Sequence, residues 1–315
     1  MNNNQTEEEK RKVEPWYIFT GEGKQDVELP KPPPWRSKDK PKSYVPLSDI
    51  EVKMINSALY LRRPLLITGK PGSGKSSLAK AVADELDMGD VLNWRITTDS
   101  TIKDGLYSYD AISRLQDVKI SEQDKNIKTN IEKYLKLESL GLAFASKTQR
   151  VVLIDEIDKS DIDLPNNLLH IFEEQQFEIP ELKRINQKFT PFKARKKYKT
   201  ISKGIVTAEH FPLIIMTSNG ERDFPPAFLR RVLHLHLDPP TKIQLKKIIE
   251  SHFKGEKIDK IDYIIEKFVE QRDKHYLSTD QLLNAIYLIN NKKSIDINNP
   301  ENSDMLESIW HQLSK

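Results

Sequence analysis

The chain has 315 residues, 37% hydrophobic and 31% charged, which suits a soluble fold of about two domains at roughly 150 residues each. Fifty basic and 47 acidic residues leave a net charge of +3, too little to demand nucleic acid for the chain as a whole. The sequence has no cysteine for disulfides or thiolate metal sites, no run near the ~18 apolar residues that span a bilayer, and a polar start without a leader's apolar core, so the expected location is the cytoplasm.

Residues 1–44 read as a largely extended or disordered tail: the first dozen are polar, and Pro30, Pro32, Pro33, Pro34, Pro41 and Pro46 punctuate the stretch after them. Trp16, Tyr17, Phe19 and Trp35 are unusual in a free tail. Large aromatics gain most from burial, so they are expected to pin the tail to the folded domain; the alternative is an arm for a neighbouring subunit. Residues 48–60 show helical spacing with Ser48 as N-cap, and Leu65-Leu66-Ile67-Thr68 reads as a strand.

Residues 69–76, Gly-Lys-Pro-Gly-Ser-Gly-Lys-Ser, then fit G-x-x-x-x-G-K-[ST], and a helical stretch begins at Ser77. Strand, glycine loop and helix are the context in which this pattern cradles phosphate. Glycines let successive N–H groups point at one phosphate, and the helix N-terminus adds its positive end. The predicted nucleotide contacts are Gly69, Pro71, Gly72, Ser73, Gly74, Lys75, Ser76 and Ser77. Lys75 reaches the β- and γ-phosphates, Ser76 offers a hydroxyl to Mg²⁺, and Pro71, without an N–H, stiffens the loop.

Residues 91–96 read as a second strand and 103–149 as mostly helical, with 123–142 the clearest amphipathic part. Val151-Val152-Leu153-Ile154 then ends in Asp155-Glu156, as a buried parallel strand ends at its carboxyl edge, where ligands gather. Asp155 is placed to hold Mg²⁺ beside Ser76, and Glu156 to deprotonate a water attacking the γ-phosphate. Asp158 reads as a structural cap or ion-pair partner.

Asp163 caps a predicted helix to residue 174, and residues 177–179 suggest a short strand. A basic insertion occupies 183–203; five of the seven residues 193–199 are cationic. With Phe189, Phe192 and Tyr198 to stack on bases it could contact nucleic acid; the plainer reading is a solvated hairpin or loop. Residues 212–219 form another strand with polar Thr217, Ser218 and Asn219 at its end, and Asn219 could bond the attacking water or γ-phosphate. A short helix ends at Arg230-Arg231. Residues 232–237 alternate as a strand, and His234 and His236 share a face but lack the further ligands of a metal site. After Asp238-Pro239-Pro240 everything reads as helical, including a capping box from Ser278 to Gln281 and a last helix opened by Pro300.

This ordered set resembles the AAA+ ATPases and, within them, the MoxR-like family. The carrying stretches, over about residues 44–288, are residues 61–66, the phosphate loop (Walker A), residues 106–111, 137–143, 151–159 (Walker B) and 224–231; residues 31–36 resemble the lead-in of some bacterial MoxR-like ATPases. The resemblance implies an α/β three-layer core with a five-stranded parallel sheet, order 5-1-4-3-2, over residues 45–238, and a small all-α lid over 239–315. It implies a ring, usually a hexamer, in which Mg²⁺-dependent ATP hydrolysis remodels a client protein in a chaperone role. Asn219 then matches sensor 1. Arg230 or Arg231 matches the arginine finger, with one of the two expected in a structural ion pair. One departure stands out: where many lids carry the sensor 2 arginine, this chain reads Leu277-Ser278-Thr279-Asp280-Gln281, and a carboxylate cannot replace a guanidinium facing phosphate. The alternative function is a nucleic-acid-associated ATPase motor or switch in a bacterial defence system, resting on the insertion at 183–203.

Overall fold

The computed structural model describes residues 18, 32–36, 48–121, 130–185, 188–191, 198–253, 258, 261–274 and 277–291. The described chain divides into two compact units, one ending at Ser251 and one that joins residues 32–36 to those from His252 onward.

In the larger unit the elements run in order: α1 (Asp49–Leu61), β1 (Leu65–Gly69), α2 (Lys75–Glu85), β2 (Leu92–Arg95), α3 (Ile102–Leu106), β3 (Tyr107–Tyr109), α4 (Ala111–Ser121), β4 (Leu135–Leu137), α5 (Ser139–Phe144), β5 (Val151–Asp155), α6 (Leu164–Glu174), β6 (Gln176–Glu178), α7 (Pro180–Ile185), β7 (Ile205–Thr207), β8 (Leu213–Ser218), α8 (Pro226–Leu229), β9 (Leu233–Leu237) and α9 (Lys242–His252). Five strands form one parallel sheet in the order β2-β5-β8-β1-β9. Numbered among themselves, these five run 5-1-4-3-2 from the β9 edge, the expected order. Two short antiparallel ladders, β3 with β4 and β6 with β7, are added to it.

The central strands are apolar up to their carboxyl ends because both sheet faces are covered. Leu65, Ile67, Val151, Leu153, Leu213 and Ile215 pack with Leu78, Ala79 and Val82 of α2 and with Ile55 and Ala58 of α1. The alternate residues Leu66, Val152, Ile154, Ile214 and Met216 pack with Leu140 and Phe144 of α5 and with Leu168 and Phe172 of α6. Parallel register places the carboxyl ends of β1, β5 and β8 at one edge: Thr68 pairs with Ser218, and Ile154 with Met216.

Of the helix expected over 123–142, the described residues 130–138 do not form an α-helix, and α5 begins only at Ser139. Residues 131–133 make a single 3₁₀ turn, and Leu135 and Leu137 are buried on either side of exposed Lys136 in β4. Period-two burial against β3 wins over the helical spacing that Ile131, Leu135 and Leu142 also satisfy. Residues 122–129 lie outside the described residues. Helix α4, which precedes this stretch, is turned inside out. Its half-buried face carries Arg114, which donates to the Tyr109 hydroxyl at 2.8 Å, and Asp117, which accepts from Tyr134 at 2.6 Å. Ile112, Leu115 and Ile120 face solvent. The bond to Asp117 pushes the Tyr134 phenol up to about 12.

Helix α6 starts where expected, with Pro165 in its first turn, but Asp163 makes no side-chain cap. Asp161 caps it instead, accepting from the N–H groups of Asp163 (3.1 Å) and Leu164 (2.8 Å).

The smaller unit contains α10 (Ile261–Lys274) and α11 (Thr279–Asn291). Ile264, Ile265 and Phe268 from one and Leu282, Leu283 and Ile286 from the other are buried at helical spacing. The capping box forms: Gln281 Oε1 accepts from Ser278 N at 2.7 Å. Trp35 belongs to this unit. Its ring meets His252, Phe253 and Tyr287 edge-on at 6.0, 5.6 and 5.7 Å, and its indole N–H donates to Asn284 Oδ1 at 3.2 Å. The tail is therefore pinned at Trp35, as expected; Trp16, Tyr17, Phe19 and the helix after Pro300 lie outside the described residues. Among the described residues no helix is long and apolar enough to cross a membrane.

Candidate active site

The phosphate loop joins the centre of the sheet to α2. Gly69 (φ 150°) is buried where a Cβ would collide with the Leu237 carbonyl of β9, so only glycine lets the loop leave the sheet here. Gly74 (φ 94°) is the left-handed N-cap of α2, and neither a side-chain cap nor an acid in the first turn neutralises that helix end. Its positive dipole end is left to an anion. Lys75 is buried, and its ammonium donates to Gly69 O at 2.6 Å, Lys70 O at 3.0 Å and Asn219 Oδ1 at 2.8 Å. Burial holds its pKa below the usual lysine value, opposed by the charges of Asp158, Asp155 and Glu156. Ser76 and Ser77 are exposed at the start of α2, and Pro71 and Gly72 lie exposed at the loop tip; Ser73 is buried, and its hydroxyl has no partner among the described residues.

The expected acids meet this loop. Ser76 Oγ donates to Asp155 Oδ1 at 3.0 Å. Glu156 adopts φ 62°, a left-handed turn directly after β5. Its Oε2 is held by two cations, Lys159 at 3.0 Å and Arg95, from the end of β2, at 3.4 Å. Asp158 is the structural cap it was expected to be: 3% exposed, it accepts from Asn219 N at 2.9 Å and Glu221 N at 3.0 Å. It thereby fixes the turn that carries Asn219. Lys75, Ser76, Asp155 and Asn219 thus line one side of the site through hydrogen bonds, with Glu156 adjoining them.

The two arginines separate. Arg231 pairs with Glu173 at 2.6 Å, the structural ion pair expected for one of them. Arg230 is exposed and its side chain has no partner among the described residues. Its carbonyl accepts from Arg63 at 2.6 Å. Arg63 and Arg230 precede β1 and β9, which puts Arg230 at the amino edge of the sheet, across from the phosphate loop.

In the stretch 277–281, where the sequence departs from the family pattern by lacking a sensor 2 arginine, Asp280 binds Arg36 at 3.1 Å. The basic insertion offers no stacking platform in Phe189 and Tyr198, which are 1% and 8% exposed and belong to the core, a correction to the sequence expectation. Lys183 and Lys199 are paired with Glu178 and Glu209; Phe192 and residues 193–197 lie outside the described residues. His234 and His236 both meet the Thr68 hydroxyl, at 2.9 and 3.0 Å, a local hydrogen-bonded group. No group of three or more His, Asp or Glu side chains suited to a metal occurs among the described residues.

Sequence reasoning missed Arg95, Lys159 and Thr217. The first two are ordinary surface cations in sequence. Thr217 left a trace, as a polar residue inside a strand that is buried throughout.

A glycine loop feeding an uncapped helix, beside a strand that ends Asp-Glu and another that ends in Asn, at the carboxyl edge of a 5-1-4-3-2 parallel sheet, defines a P-loop nucleoside triphosphatase. The profile of the AAA domain, dynein-related subfamily, matches residues 64–232, more than half of the 315, and the chain belongs to this family of nucleotide-binding ATPases. Comparison with curated proteins gives no match.

Proposed function

We propose that this AAA ATPase is MoxR-like and acts as a ring, in which cycles of Mg²⁺-dependent ATP hydrolysis remodel a protein client. The observation that carries the ring is the position of Arg230. It is the unpaired member of the arginine pair and sits at the sheet edge away from its own phosphate loop. A five-residue strand spans about 16 Å, so its guanidinium acts on a neighbour's nucleotide rather than its own.

The residues fit Mg²⁺. Ser76 and Asp155 supply hard oxygen donors, and Asp155 Oδ2 has no partner among the described residues. One carboxylate and a hydroxyl suffice for an ion that shares its shell with phosphates and water. When bound, Mg²⁺ supplies charge neutralisation on the β- and γ-phosphates. Lys75 exchanges its two loop carbonyls for phosphate oxygens. Glu156 Oε1, the oxygen that neither cation holds, takes the proton from the attacking water as its oxygen bonds to the γ-phosphorus and the bond to the β-phosphate oxygen breaks. Asn219, anchored through Asp158, orients that water with its amide N–H. The nucleic-acid reading lacks comparable support, since two of its three aromatics are in the core.

Mixing tests the composite site. Lys75→Ala and Arg230→Ala subunits are each expected to hydrolyse little ATP. Randomly mixed one to one, about a quarter of sites pair an intact loop with an intact neighbouring finger, and that fraction of wild-type turnover returns. Mixtures no more active than their components would refute the shared site.

A further inference from the structure

We infer that Thr217 is a positioning residue for both acids of the hydrolytic site: one buried hydroxyl ties Asp155 and Glu156 together and leaves Asp155 Oδ2 available to the metal ion. The inference rests on the hydrolysis proposed for this site and goes beyond it.

Thr217 occupies a position built for an apolar side chain. It lies on β8, the strand flanked by β5 and β1, and is 1% exposed. Register sets it opposite Ile67 of β1 and one step beyond the Ile154–Met216 pair, level with Asp155. Alternation along the strand puts it on the face of Leu213 and Ile215, which packs against α2. Valine has the same shape and would bury more favourably, because a hydroxyl taken from water costs free energy unless it is bonded. Here it is bonded twice, in two directions. The hydroxyl donates to Asp155 Oδ1 at 2.5 Å and accepts from the Glu156 N–H at 2.9 Å. Only a group that donates and accepts through one atom completes this chain.

Each bond has a consequence for the site. The O–H to carboxylate bond is short and charge-assisted, the stronger class. With Ser76 Oγ it brings two donors to Asp155 Oδ1 and fixes the carboxylate rotamer, so Oδ2 remains for the ion. The N–H bond fixes the peptide at which Glu156 enters its left-handed turn, φ 62°. A non-glycine residue held there costs on the order of 1–3 kcal/mol and needs its surroundings to impose it. Thr217 is one of those restraints, and the direction in which the Glu156 side chain leaves the strand depends on it. A residue that only filled space would serve neither purpose.

The test uses the full chain with Thr217→Val, Thr217→Ala and Thr217→Ser, a fluorescent ADP analogue, and steady-state ATP turnover. Binding of the analogue is measured without metal and then against Mg²⁺. Thr217→Val and Thr217→Ala are expected to bind the metal-free analogue within about twofold of wild type, to need about tenfold more Mg²⁺ for half its effect, and to lose about 10–100-fold in kcat with little change in KM. Thr217→Ser, which keeps the hydroxyl, stays within about threefold of wild type on both measures. Wild-type Mg²⁺ dependence in Thr217→Ala, or a Thr217→Ser protein as impaired as Thr217→Ala, would overturn the inference. If Thr217→Val does not fold, the serine and alanine variants still differ by the hydroxyl alone. The Mg²⁺ titration needs no turnover, so a protein that bound Mg²⁺ and nucleotide without hydrolysing ATP would refute the hydrolytic reading while the titration still decided the role of Thr217.

Discussion

Asp158→Ala removes one buried carboxylate and, with it, the anchor of the Asn219 turn. Asp158 Oδ2 accepts two backbone N–H groups, from Asn219 and Glu221, while Oδ1 is buried with no partner among the described residues. Each bond to the charged acceptor is worth about 1.5–3 kcal/mol net, and burying a half-partnered carboxylate offsets part of that sum. The expected destabilisation is therefore about 3 kcal/mol, or about 6–12 °C in Tm for a unit of this size. Activity falls as well. Without its anchor Asn219 shifts relative to Lys75, now 2.8 Å away, and about tenfold in kcat is lost to misplacement of the water-orienting amide. Asp158→Asn separates geometry from charge: its carbonyl oxygen can still accept both N–H groups, so it should retain most of the stability. Urea unfolding and steady-state ATP turnover measure the two effects. An Asp158→Ala loss of under about 0.5 kcal/mol, or turnover within about twofold of wild type, would refute the reasoning.

The cations on Glu156 give a prediction of opposite sign. Arg95→Ala with Lys159→Ala frees Oε2 of two partly exposed ion pairs worth about 1 kcal/mol together, so basal turnover should rise about fivefold; a fall would mean that they hold the carboxylate in its working position. Trp35→Ala strips the smaller unit of three ring contacts and an indole hydrogen bond, about 2–4 kcal/mol. Hydrogen exchange of the α11 amides should speed up, and unchanged protection would show that the tail is only laid on the surface. Metal-free ADP binding needs the Lys75 ammonium, whose pKa burial lowers from 10.5. The charged form is lost as pH rises, so the Kd for ADP should rise with pH and begin to do so below the ordinary lysine range. Lys75→Arg, charged throughout, should show no such rise; identical pH profiles would exclude Lys75 as the titrating group.

Much of the site was legible because its chemistry interrupts a strong pattern. Glycines and Lys75 come after one buried apolar run, Asp155 and Glu156 end another, and Asn219 ends a third. Parallel pairing then brings these interruptions to one edge. The order of the strands came from the resemblance, since apolar runs alone do not state their neighbours. The stretch over 123–142 misled because β4 is only three residues long, too short for period two to outweigh helical spacing. In α4 the usual rule is reversed, with Arg114 and Asp117 satisfied by tyrosines inside and Ile112 and Leu115 outside. Arg95 and Lys159 carry no local signal, because what matters is the distance from each to Glu156. The choice between Arg230 and Arg231 also needed three dimensions: Glu173 is 57 or more residues away in sequence and claims only Arg231.

The hydrolysis proposed for this site turns on Glu156 as the proton acceptor, and Glu156→Gln tests that most directly. The substitution keeps the shape and removes the acceptor. Glu156→Gln is expected to bind the fluorescent ADP analogue and ATP with wild-type affinity within about threefold while ATP turnover falls about 100-fold or more, and Lys75→Ala in the same assay to lose binding. Turnover by Glu156→Gln equal to that of the wild type would contradict the assignment.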